Sequence, residues 1–326
     1  MMNELSRDEA FEIQLTQWLG DFEARLRQVV VDENPFVTEA ARHLIDAGGK
    51  RFRPALIWTC AQFSADVDPA KLIDAALVIE LTHVASLYHD DVMDEAELRR
   101  AAASANARYG NTIAILVGDY LFARASRVVA DLGTDFVALQ AETFVELVRG
   151  QIAETKGPQP GDDAVAHHLS VIDGKTASLI KAAALFGAMV AELDDATTRT
   201  LGEFGHEIGM LFQMSDDLID ITSDHTGKTP GTDLREGIPT LATLLLAASQ
   251  DAADQQLAAR LAGDLSDDAQ LADVLAQLRA NHVIDDVRAA IAQRADEARA
   301  LLGPLPDGAP KQALHQLCDE VARRIS

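Results

Sequence analysis

The sequence has few cysteines, few aromatic residues and a deficit of basic residues. Two cysteines in 326 residues, Cys60 and Cys318, are too few for a disulfide scaffold. Aromatic residues make up 5% of the chain, and 28 lysines and arginines stand against 52 aspartates and glutamates, giving a net charge of 28 − 52 = −24. This charge argues against nucleic-acid binding through the general electrostatic field of the protein. The hydrophobic content of 48% still predicts a globular fold with a large core.

Long hydrophobic runs are also missing. The closest approach to one, Ala182 to Ala191, has ten residues, whereas a membrane-spanning helix needs about 20. The first residues lack a basic region leading into an apolar stretch, so no signal peptide is expected. We therefore expect a cytoplasmic protein without a transmembrane segment.

Apolar residues recur at intervals of three and four along almost the whole chain, which is the period of an amphipathic helix, and strand patterns are nearly absent. The helical segments indicated in this way are 11–31, 71–94, 112–131, 135–155, 164–190, 194–221 and 238–262. Because no long linker interrupts them, we expect a single all-α domain over residues 1–326. From about residue 250 the composition shifts to Ala, Asp, Gln and Leu, which indicates peripheral amphipathic helices.

Two copies of the pattern Asp-Asp-x-x-Asp follow apolar helical stretches. The first copy consists of Asp90, Asp91 and Asp94, and the second of Asp216, Asp217 and Asp220. On a helix the first and last aspartates of a copy share one face, where their repulsion costs stability unless a cation lies between them. Mg²⁺ is typically held by one or two carboxylates together with substrate phosphates. The pattern predicts a clamp for Mg²⁺ and a diphosphate; the alternative is two solvated acidic faces.

Basic residues cluster near the first acidic motif despite their overall scarcity. The segment Gly48–Pro54 contains Lys50, Arg51 and Arg53, and Arg99-Arg100 follows the motif. Neighbouring cations repel one another, and arginine suits phosphate oxygens, so an anion is the expected partner. A basic loop paired with the protein's own carboxylates is the alternative. His83, two helical turns before Asp90, is assigned to the same site.

A second set of polar residues accompanies the second acidic motif. It consists of Lys175-Thr176 after Gly174, Gln213 just before the motif, and Lys228 soon after it.

These motifs together resemble the trans-isoprenyl diphosphate synthase (polyprenyl synthetase) family over about residues 42–245. The segments that carry the resemblance are GGKRFRP, His83, DDVMD with Arg99-Arg100, GDYLFARA, Gln151, KTASLI, FQMSDDLID and GKTPGTDL. The resemblance implies an all-α fold of antiparallel helices around a deep central cavity, in a homodimer. It also implies about three Mg²⁺ ions between the two aspartate motifs and an allylic diphosphate.

The resemblance assigns a role to each motif residue. Asp90, Asp91, Asp94, Asp216, Asp217 and Asp220 would form the metal clamp, as ligands or through metal-bound water. Arg99, Lys175 and Lys228 would bind the allylic diphosphate, and Thr176 and Gln213 would flank the reacting carbon. Lys50, Arg53, His83 and Arg100 would bind isopentenyl diphosphate, with Arg51 in the same basic region.

Three positions depart from the family pattern. His168 stands where many members have tyrosine, Ala101 where glycine usually follows the arginine pair, and Ala242 where proline is common. None of these changes removes a charge that the reaction needs.

The site indicates a prenyltransferase that condenses isopentenyl diphosphate with an allylic primer. Neutralisation of the diphosphate allows it to leave, and the isopentenyl double bond attacks the resulting allylic cation. The rival hypotheses are a non-catalytic subunit of a heteromeric synthase, a divalent-cation-binding scaffold, and a terpene cyclase. The intact carboxylates and basic loop favour the complete enzyme.

Small residues precede the first motif at the depth where a growing product would lie. Ser86, Ala85 and Thr82 stand four, five and eight positions before Asp90, while the aromatic Tyr88 is expected to point elsewhere. Short-chain members of the family have an aromatic residue at this depth. We therefore expect an all-trans product longer than farnesyl, with geranylgeranyl as the alternative to a longer chain, and transient membrane contact during product release.

Overall fold

The computed structural model describes residues 7–222 and 231–323. Among these residues the regular elements besides α-helices are one short hairpin and one π-helical turn, so the all-α prediction is confirmed. The amino-terminal helices are α1 (Arg7–Val29), α2 (Pro35–Asp46), α3 (Phe52–Ala61), α4 (Pro69–Met93), α5 (Ala105–Tyr109), α6 (Asn111–Leu132) and α7 (Thr134–Lys156). The later helices are α8 (Ala164–Ile172), α9 (Ser178–Val190), α10 (Asp195–Thr222), α11 (Thr232–Arg235), α12 (Leu241–Ala248), α13 (Ala252–Leu261), α14 (Asp268–Arg279), α15 (Val283–Leu301) and α16 (Ala309–Arg323). The hairpin pairs β1 (Leu98–Arg99) with β2 (Ala102–Ala103), and the π turn is Asp173–Ala177.

The chain divides into two compact units. Unit 1 contains the residues up to Phe144 together with Lys181–Gly202 and Leu305–Ala313, and therefore includes the first aspartate motif. Unit 2 contains Val145–Ile180, Glu203–Pro304 and the residues from Leu314 onward, and includes the second motif. A single domain over residues 1–326 stays a prediction.

Helix α4 forms the centre of unit 1 and ends at the first motif. It begins because the Asp68 side chain accepts hydrogen bonds from the backbone N–H groups of Ala70 and Lys71, and Pro69 occupies the first helical position. Its packing against α6 is close at Gly118, where a Cβ atom would lie 2.3 Å from His89 Nε2. Glycine at this position therefore lets the last turns of α4 lie against α6.

The carboxyl-terminal helices of unit 2 are amphipathic, as the sequence indicates. Along α15, Val283, Ile284, Val287 and Ile291 are buried at intervals of three and four residues, while Asp285 and Asp286 are exposed. The predicted helical segment 238–262 is divided in two, because α12 ends at Ala248 and the Asp251 side chain caps the start of α13. Their peripheral placement stays a prediction.

Within the described residues, every helix is too short or too polar to cross a lipid bilayer.

Candidate active site

The first acidic motif lies at the end of α4 in unit 1. Asp90 is half-buried and Asp94 is exposed, and the Asp94 backbone N–H donates to the Asp90 carbonyl at 2.8 Å. This hydrogen bond continues the helical pattern and leaves the two residues one turn apart. The local geometry therefore agrees with the predicted i,i+4 arrangement.

Asp91 has a different environment from its neighbours. It is fully buried, with Oδ1 accepting from Arg99 Nε at 2.7 Å and Oδ2 accepting from the Ala105 backbone N–H at 2.7 Å. Both carboxylate oxygens are thus used within unit 1, where they fix the hairpin that carries Arg99. Its predicted contact with metal stays a prediction; in this structure Asp91 orients a predicted phosphate-binding arginine.

The turn of the hairpin places Arg100 against the glycine segment. Arg100 Nη1 donates to the carbonyl of Leu44 at 2.9 Å and to that of Gly48. Gly49 permits this approach, since a Cβ atom there would lie 3.0 Å from both Arg100 Cζ and Arg51 Nη1. The two guanidinium groups can therefore lie directly against the backbone.

Ala101 occupies a strained position in the same turn. Arg100 and Ala101 have φ angles of +54° and +61°, values that glycine adopts readily and alanine does not. We expect Ala101→Gly to stabilise the protein by about 0.5–1 kcal/mol, the left-handed strain relieved less the added entropy of glycine. Urea unfolding would measure this, with Ala102→Gly in β2 as the control. Equal destabilisation by both substitutions would contradict this account of the turn.

Arg51 is buried and paired with carboxylates. Its Nε donates to Glu23, Nη1 donates to Glu80 at 2.8 Å, and Nη2 donates to the Ile45 carbonyl at 3.0 Å. Burial opposes the charge of Arg51, but Glu23 and Glu80 raise its pKa above the ordinary value. Arg51 therefore holds the loop in place. For this residue the alternative hypothesis applies, in which a basic side chain pairs with the protein's own carboxylates.

Unlike Arg51 and Arg99, Arg53 and Arg100 form no ion pair with a carboxylate among the described residues. Burial, with a smaller contribution from Arg100, lowers the pKa of Arg53 to about 10 although Glu80 opposes the shift, and Arg53 Nε has no hydrogen-bond partner in the described structure. Burial likewise lowers the pKa of Arg100. The pKa of His83 falls well below its usual range because of burial and then the surrounding arginines, which are Arg53, Arg100, Arg51 and Arg99. An anion bound here would relieve the unfavourable potential.

The structure brings Arg51, Arg53, Arg99 and Arg100 close to His83. Lys50 is exposed and directly precedes Arg51 in the chain. The roles predicted for these residues stay predictions.

In unit 2, Lys175 and Thr176 lie in the π turn. Neighbouring helices approach its backbone at glycines: a Cβ atom on Gly150 would lie 2.4 Å from Lys175 N, and one on Gly209 would lie 2.6 Å from Ala177 Cα. Such short distances exclude larger residues at both positions. Single-turn π segments often occur at functional sites. The sequence predicted the two polar residues but not the π geometry.

A chain of hydrogen bonds connects Thr176 to the second acidic motif. Thr176 Oγ1 donates to Gln213 Oε1 at 3.0 Å, and Gln213 Nε2 donates to Asp217 Oδ1 at 2.8 Å. The other oxygen, Asp217 Oδ2, lies 3.3 Å from His168 Nε2. The amide of Gln213 is oriented by its two partners, so the Thr176 oxygen keeps its lone pairs for a ligand.

His168 was noted in the sequence only as a departure from the family pattern. Its contact with Asp217 joins residues 49 positions apart in the chain (217 minus 168), on α8 and α10. No local pattern signals such a contact.

The remaining predicted residues of unit 2 have local partners or lie outside the described part of the chain. Lys175 Nζ pairs with Glu154 Oε2 on α7. Asp216 is half-buried, and Asp220 Oδ2 accepts a hydrogen bond from the Asp233 backbone N–H at 3.1 Å. Lys228 lies outside the described residues.

The family model of polyprenyl synthetase matches residues 34–278. The chain therefore belongs to the polyprenyl synthetase family. The nonaprenyl diphosphate synthase of Mycobacterium tuberculosis (strain ATCC 25618 / H37Rv) is 43% identical over 307 residues, covering 92% of this synthetase and 92% of that protein. A geranylgeranyl pyrophosphate synthase from Corynebacterium glutamicum, crystallised with calcium and isoprenyl diphosphate, has 39% identity, a TM-score of 0.88 and 98% coverage of both chains. A decaprenyl diphosphate synthase from Rhodobacter capsulatus has 31% identity, a TM-score of 0.86, and coverage of 96% of this chain and 98% of that one.

Membership of the polyprenyl synthetase family confirms the predicted enzyme class, a prenyltransferase of isoprenoid synthesis. The scaffold hypothesis is thereby excluded. The individual roles of the site residues stay predictions.

Proposed function

We propose that this synthetase condenses isopentenyl diphosphate with an allylic diphosphate in the presence of Mg²⁺, giving an all-trans polyprenyl diphosphate longer than farnesyl. The observation that carries the proposal is the pair of desolvated arginines in unit 1, Arg53 and Arg100, which both have lowered pKa values; among the described residues, Arg53 Nε has no hydrogen-bond partner. A protein stores positive charge in this way when an anion compensates for it on binding. The aspartate motif at the end of α4, the helix that also carries His83, would supply ligands for a metal.

The carboxylates fit Mg²⁺ bound together with a substrate. Among the described residues, no group of three His, Cys, Asp or Glu side chains could hold a metal ion by itself. Mg²⁺ commonly takes one or two carboxylates and completes its coordination with phosphate oxygens and water. We propose Asp90 and Asp94 in unit 1, and Asp216 and Asp220 in unit 2, as the carboxylates offered to about three such ions. Asp91 and Asp217 support Arg99 and Gln213.

Bound Mg²⁺ would supply charge neutralisation at the allylic diphosphate. Arg99, Lys175 and Lys228 would add positive charge at the phosphate oxygens, with Lys175 exchanging Glu154 for a phosphate oxygen as its anionic partner. The carbon–oxygen bond breaks with its electron pair leaving on the diphosphate. The oxygens of Thr176 and Gln213 face the allylic cation. The isopentenyl double bond forms the new carbon–carbon bond, and the diphosphate takes the proton that is lost.

Lys50→Ala tests the assignment of the basic cluster to isopentenyl diphosphate. Lys50 is exposed and directly precedes Arg51 in the chain, so we expect the KM for isopentenyl diphosphate to rise about tenfold, the cost of one charged hydrogen bond. The KM for the allylic primer should change much less. Steady-state kinetics with each substrate varied in turn give both values, and Lys71→Ala near the start of α4 serves as the control. The opposite ranking would mean that the two substrate sites are exchanged.

We also propose that the protein is a homodimer, through the apolar faces of α6 and α7. In unit 1, Ile115, Leu116 and Val137 are exposed; in unit 2, Val145 and Ile152 are exposed. Exposed apolar side chains in such numbers mark an interaction surface.

Light scattering should give a mass of twice 35.1 kDa at micromolar concentration. Leu116→Glu, at a position with 57% exposure, should shift the equilibrium to monomer, whereas Ile13→Glu on α1, with 44% exposure, should not. A mass of 35.1 kDa for the unmodified protein would contradict the proposal.

The proposed reaction is tested with purified protein, Mg²⁺, labelled isopentenyl diphosphate and farnesyl diphosphate. We expect label in the extractable lipid without any added subunit. The absence of label with each of several primers would overturn the proposal and favour the non-catalytic subunit. Chromatography of the dephosphorylated product distinguishes a long chain from geranylgeranyl. We place the reaction in the cytoplasm, with transient membrane contact during product release.

A further inference from the structure

A chain of alternating charges reaches the start of the π turn in unit 2. Asp173, the first residue of the turn, has Oδ1 2.7 Å from His206 Nε2 on α10. The other ring nitrogen, His206 Nδ1, lies 3.2 Å from Glu207 Oε1, and Glu207 Oε2 accepts from Arg294 Nη1 on α15 at 2.6 Å. The four side chains therefore join the π turn, α10 and α15.

This geometry is fully satisfied only by a charged histidine. A neutral imidazole donates from one ring nitrogen only, so the other nitrogen would face a carboxylate oxygen lone pair to lone pair. Protonated His206 donates to Asp173 and Glu207 at once. Its pKa is raised, chiefly by the hydrogen bond with Glu207 and then by Asp173, against the effect of burial. The hydrogen bond from His206, and then Arg294, lower the pKa of Glu207.

The position of Asp173 matters because the π turn is only five residues long. Lys175 and Thr176 follow it by two and three positions, and the turn closes with the Ser178 N–H donating to the Asp173 carbonyl. A movement of Asp173 therefore displaces the backbone that carries both side chains. The hydrogen bond from Thr176 to Gln213 is 3.0 Å long, at the upper end of the usual O–H···O range, so a small displacement that lengthens it weakens the connection.

We propose that His206 is a positioning residue whose contact with Asp173 holds Lys175 and Thr176 in place for the allylic diphosphate. The inference rests on the proposed roles of Lys175 and Thr176 in binding that substrate. His206 touches neither the substrate nor a proposed metal ligand. The charged groups that the structure places against it are Asp173 from the π turn and Glu207 from α10, with Arg294 behind Glu207.

The direction of the pH effect follows from the raised pKa. Below the ordinary histidine value of about 6.5, His206 is charged and the contact is complete. As the pH rises through the higher value in the folded protein, the proton is lost and the contact weakens. The KM for the allylic primer should therefore rise on the alkaline side.

His282 provides a matched control. It also bridges two carboxylates, with Nε2 3.1 Å from Asp254 and Nδ1 3.1 Å from Asp286, and its pKa is likewise raised, chiefly by the hydrogen bond with Asp286. Its partners include none of the proposed substrate residues. His282→Gln therefore reproduces the loss of a bridging histidine elsewhere in unit 2.

The experiment compares the full-length wild type with His206→Gln, Asp173→Asn and His282→Gln, measuring the KM for farnesyl diphosphate and for isopentenyl diphosphate from about pH 6 to about pH 9. Asp173 is exposed, so its variant tests the contact without disturbing a buried group. At about pH 6 both His206→Gln and Asp173→Asn should raise the KM for farnesyl diphosphate about fivefold, the upper range for a partly exposed ion pair. Their KM for isopentenyl diphosphate should change less than twofold, and the alkaline rise seen in the wild type should disappear.

Ionisation of the diphosphate itself affects all four proteins alike, and His282→Gln should follow the wild-type profile. Wild-type values of the KM for farnesyl diphosphate in both His206→Gln and Asp173→Asn would overturn the role of His206 while leaving the proposed function intact. If the KM for farnesyl diphosphate still rose at alkaline pH in those two variants, the role of His206 would likewise be overturned. A wild type that turns over no primer would instead overturn the proposed function.

Discussion

Asp90→Ala should reduce kcat by at least about a thousandfold, because the variant loses a carboxylate offered to the metal that stabilises the departing diphosphate. Its free energy of unfolding should stay within about 1 kcal/mol of the wild type, since removal of one charge relieves repulsion with Asp94 one turn away. Asp216→Ala should behave in the same way in unit 2. Turnover and urea unfolding, measured on the same preparations, separate the two effects.

The adjacent Asp91 offers a matched control for this experiment. Asp91→Ala leaves the Arg99 guanidinium and the Ala105 backbone N–H without their acceptor, and Asp91 is fully buried. We expect a loss of about 3 kcal/mol in the free energy of unfolding. The two variants should therefore differ: Asp90→Ala should lose activity and keep its stability, whereas Asp91→Ala should lose stability. An Asp90→Ala variant within a few-fold of the wild-type kcat would argue against the metal assignment.

Ala85→Phe should shorten the product by one or more isoprene units. Ala85 is fully buried on α4, five positions before Asp90, and we propose that the growing chain lies along this side of the helix. An aromatic ring at position 85 would occupy the space of the growing prenyl chain, while Asp90 and Asp94 would keep their positions. Ser86 is half-buried and Thr82 is buried, with Thr82 Oγ1 bonded to the Val78 carbonyl at 2.7 Å, so neither presents a large side chain.

Overpacking of a buried site also costs stability, typically about 1–3 kcal/mol, so a control must separate the two effects. Ala76 is equally buried on α4 and lies nine residues away, which is about two and a half turns and therefore the opposite face. Ala76→Phe should destabilise the protein without changing product length. Chromatography of the dephosphorylated products would reveal either outcome. Farnesol as the wild-type end point, or one product length for all three proteins, would refute the assignment.

Tyr88 illustrates a part of the site that the sequence predicts correctly. Its hydroxyl donates to the Ala40 carbonyl and accepts from the Leu44 N–H at 3.3 Å, so the ring is engaged with α2. Tyr88 stands two positions before Asp90, and this spacing places its side chain on a different face of the helix from that of Asp90. The helical segments and the location of both acidic motifs at helix ends follow from the same local periodicity.

Contacts between distant positions could not be predicted in this way. Arg51 resembles its basic neighbours in the sequence, but Glu23 and Glu80 stand 28 and 29 positions away and neutralise it in the core. Asp91 resembles Asp90 in the sequence, but it is fully buried and accepts hydrogen bonds from Arg99 and from the Ala105 backbone N–H. In both cases the sequence identifies the motif but not the hydrogen-bonding partners of the residue, because tertiary packing decides which distant side chains meet.

The π turn interrupts a segment that the sequence pattern predicts as one continuous helix. Residues 164–190 show one helical pattern, yet the structure divides them into α8, the turn and α9. A π turn holds one residue more than the α-helical turn it replaces, because its hydrogen bond spans five positions instead of four. The segment is therefore equivalent to a continuous helix into which one residue has been inserted. The insertion rotates α9 by about 100° relative to the face of α8. A deletion of one residue in Asp173–Ala177 would restore an ordinary helix and, at the same time, turn Lys175 and Thr176 away from their present neighbours.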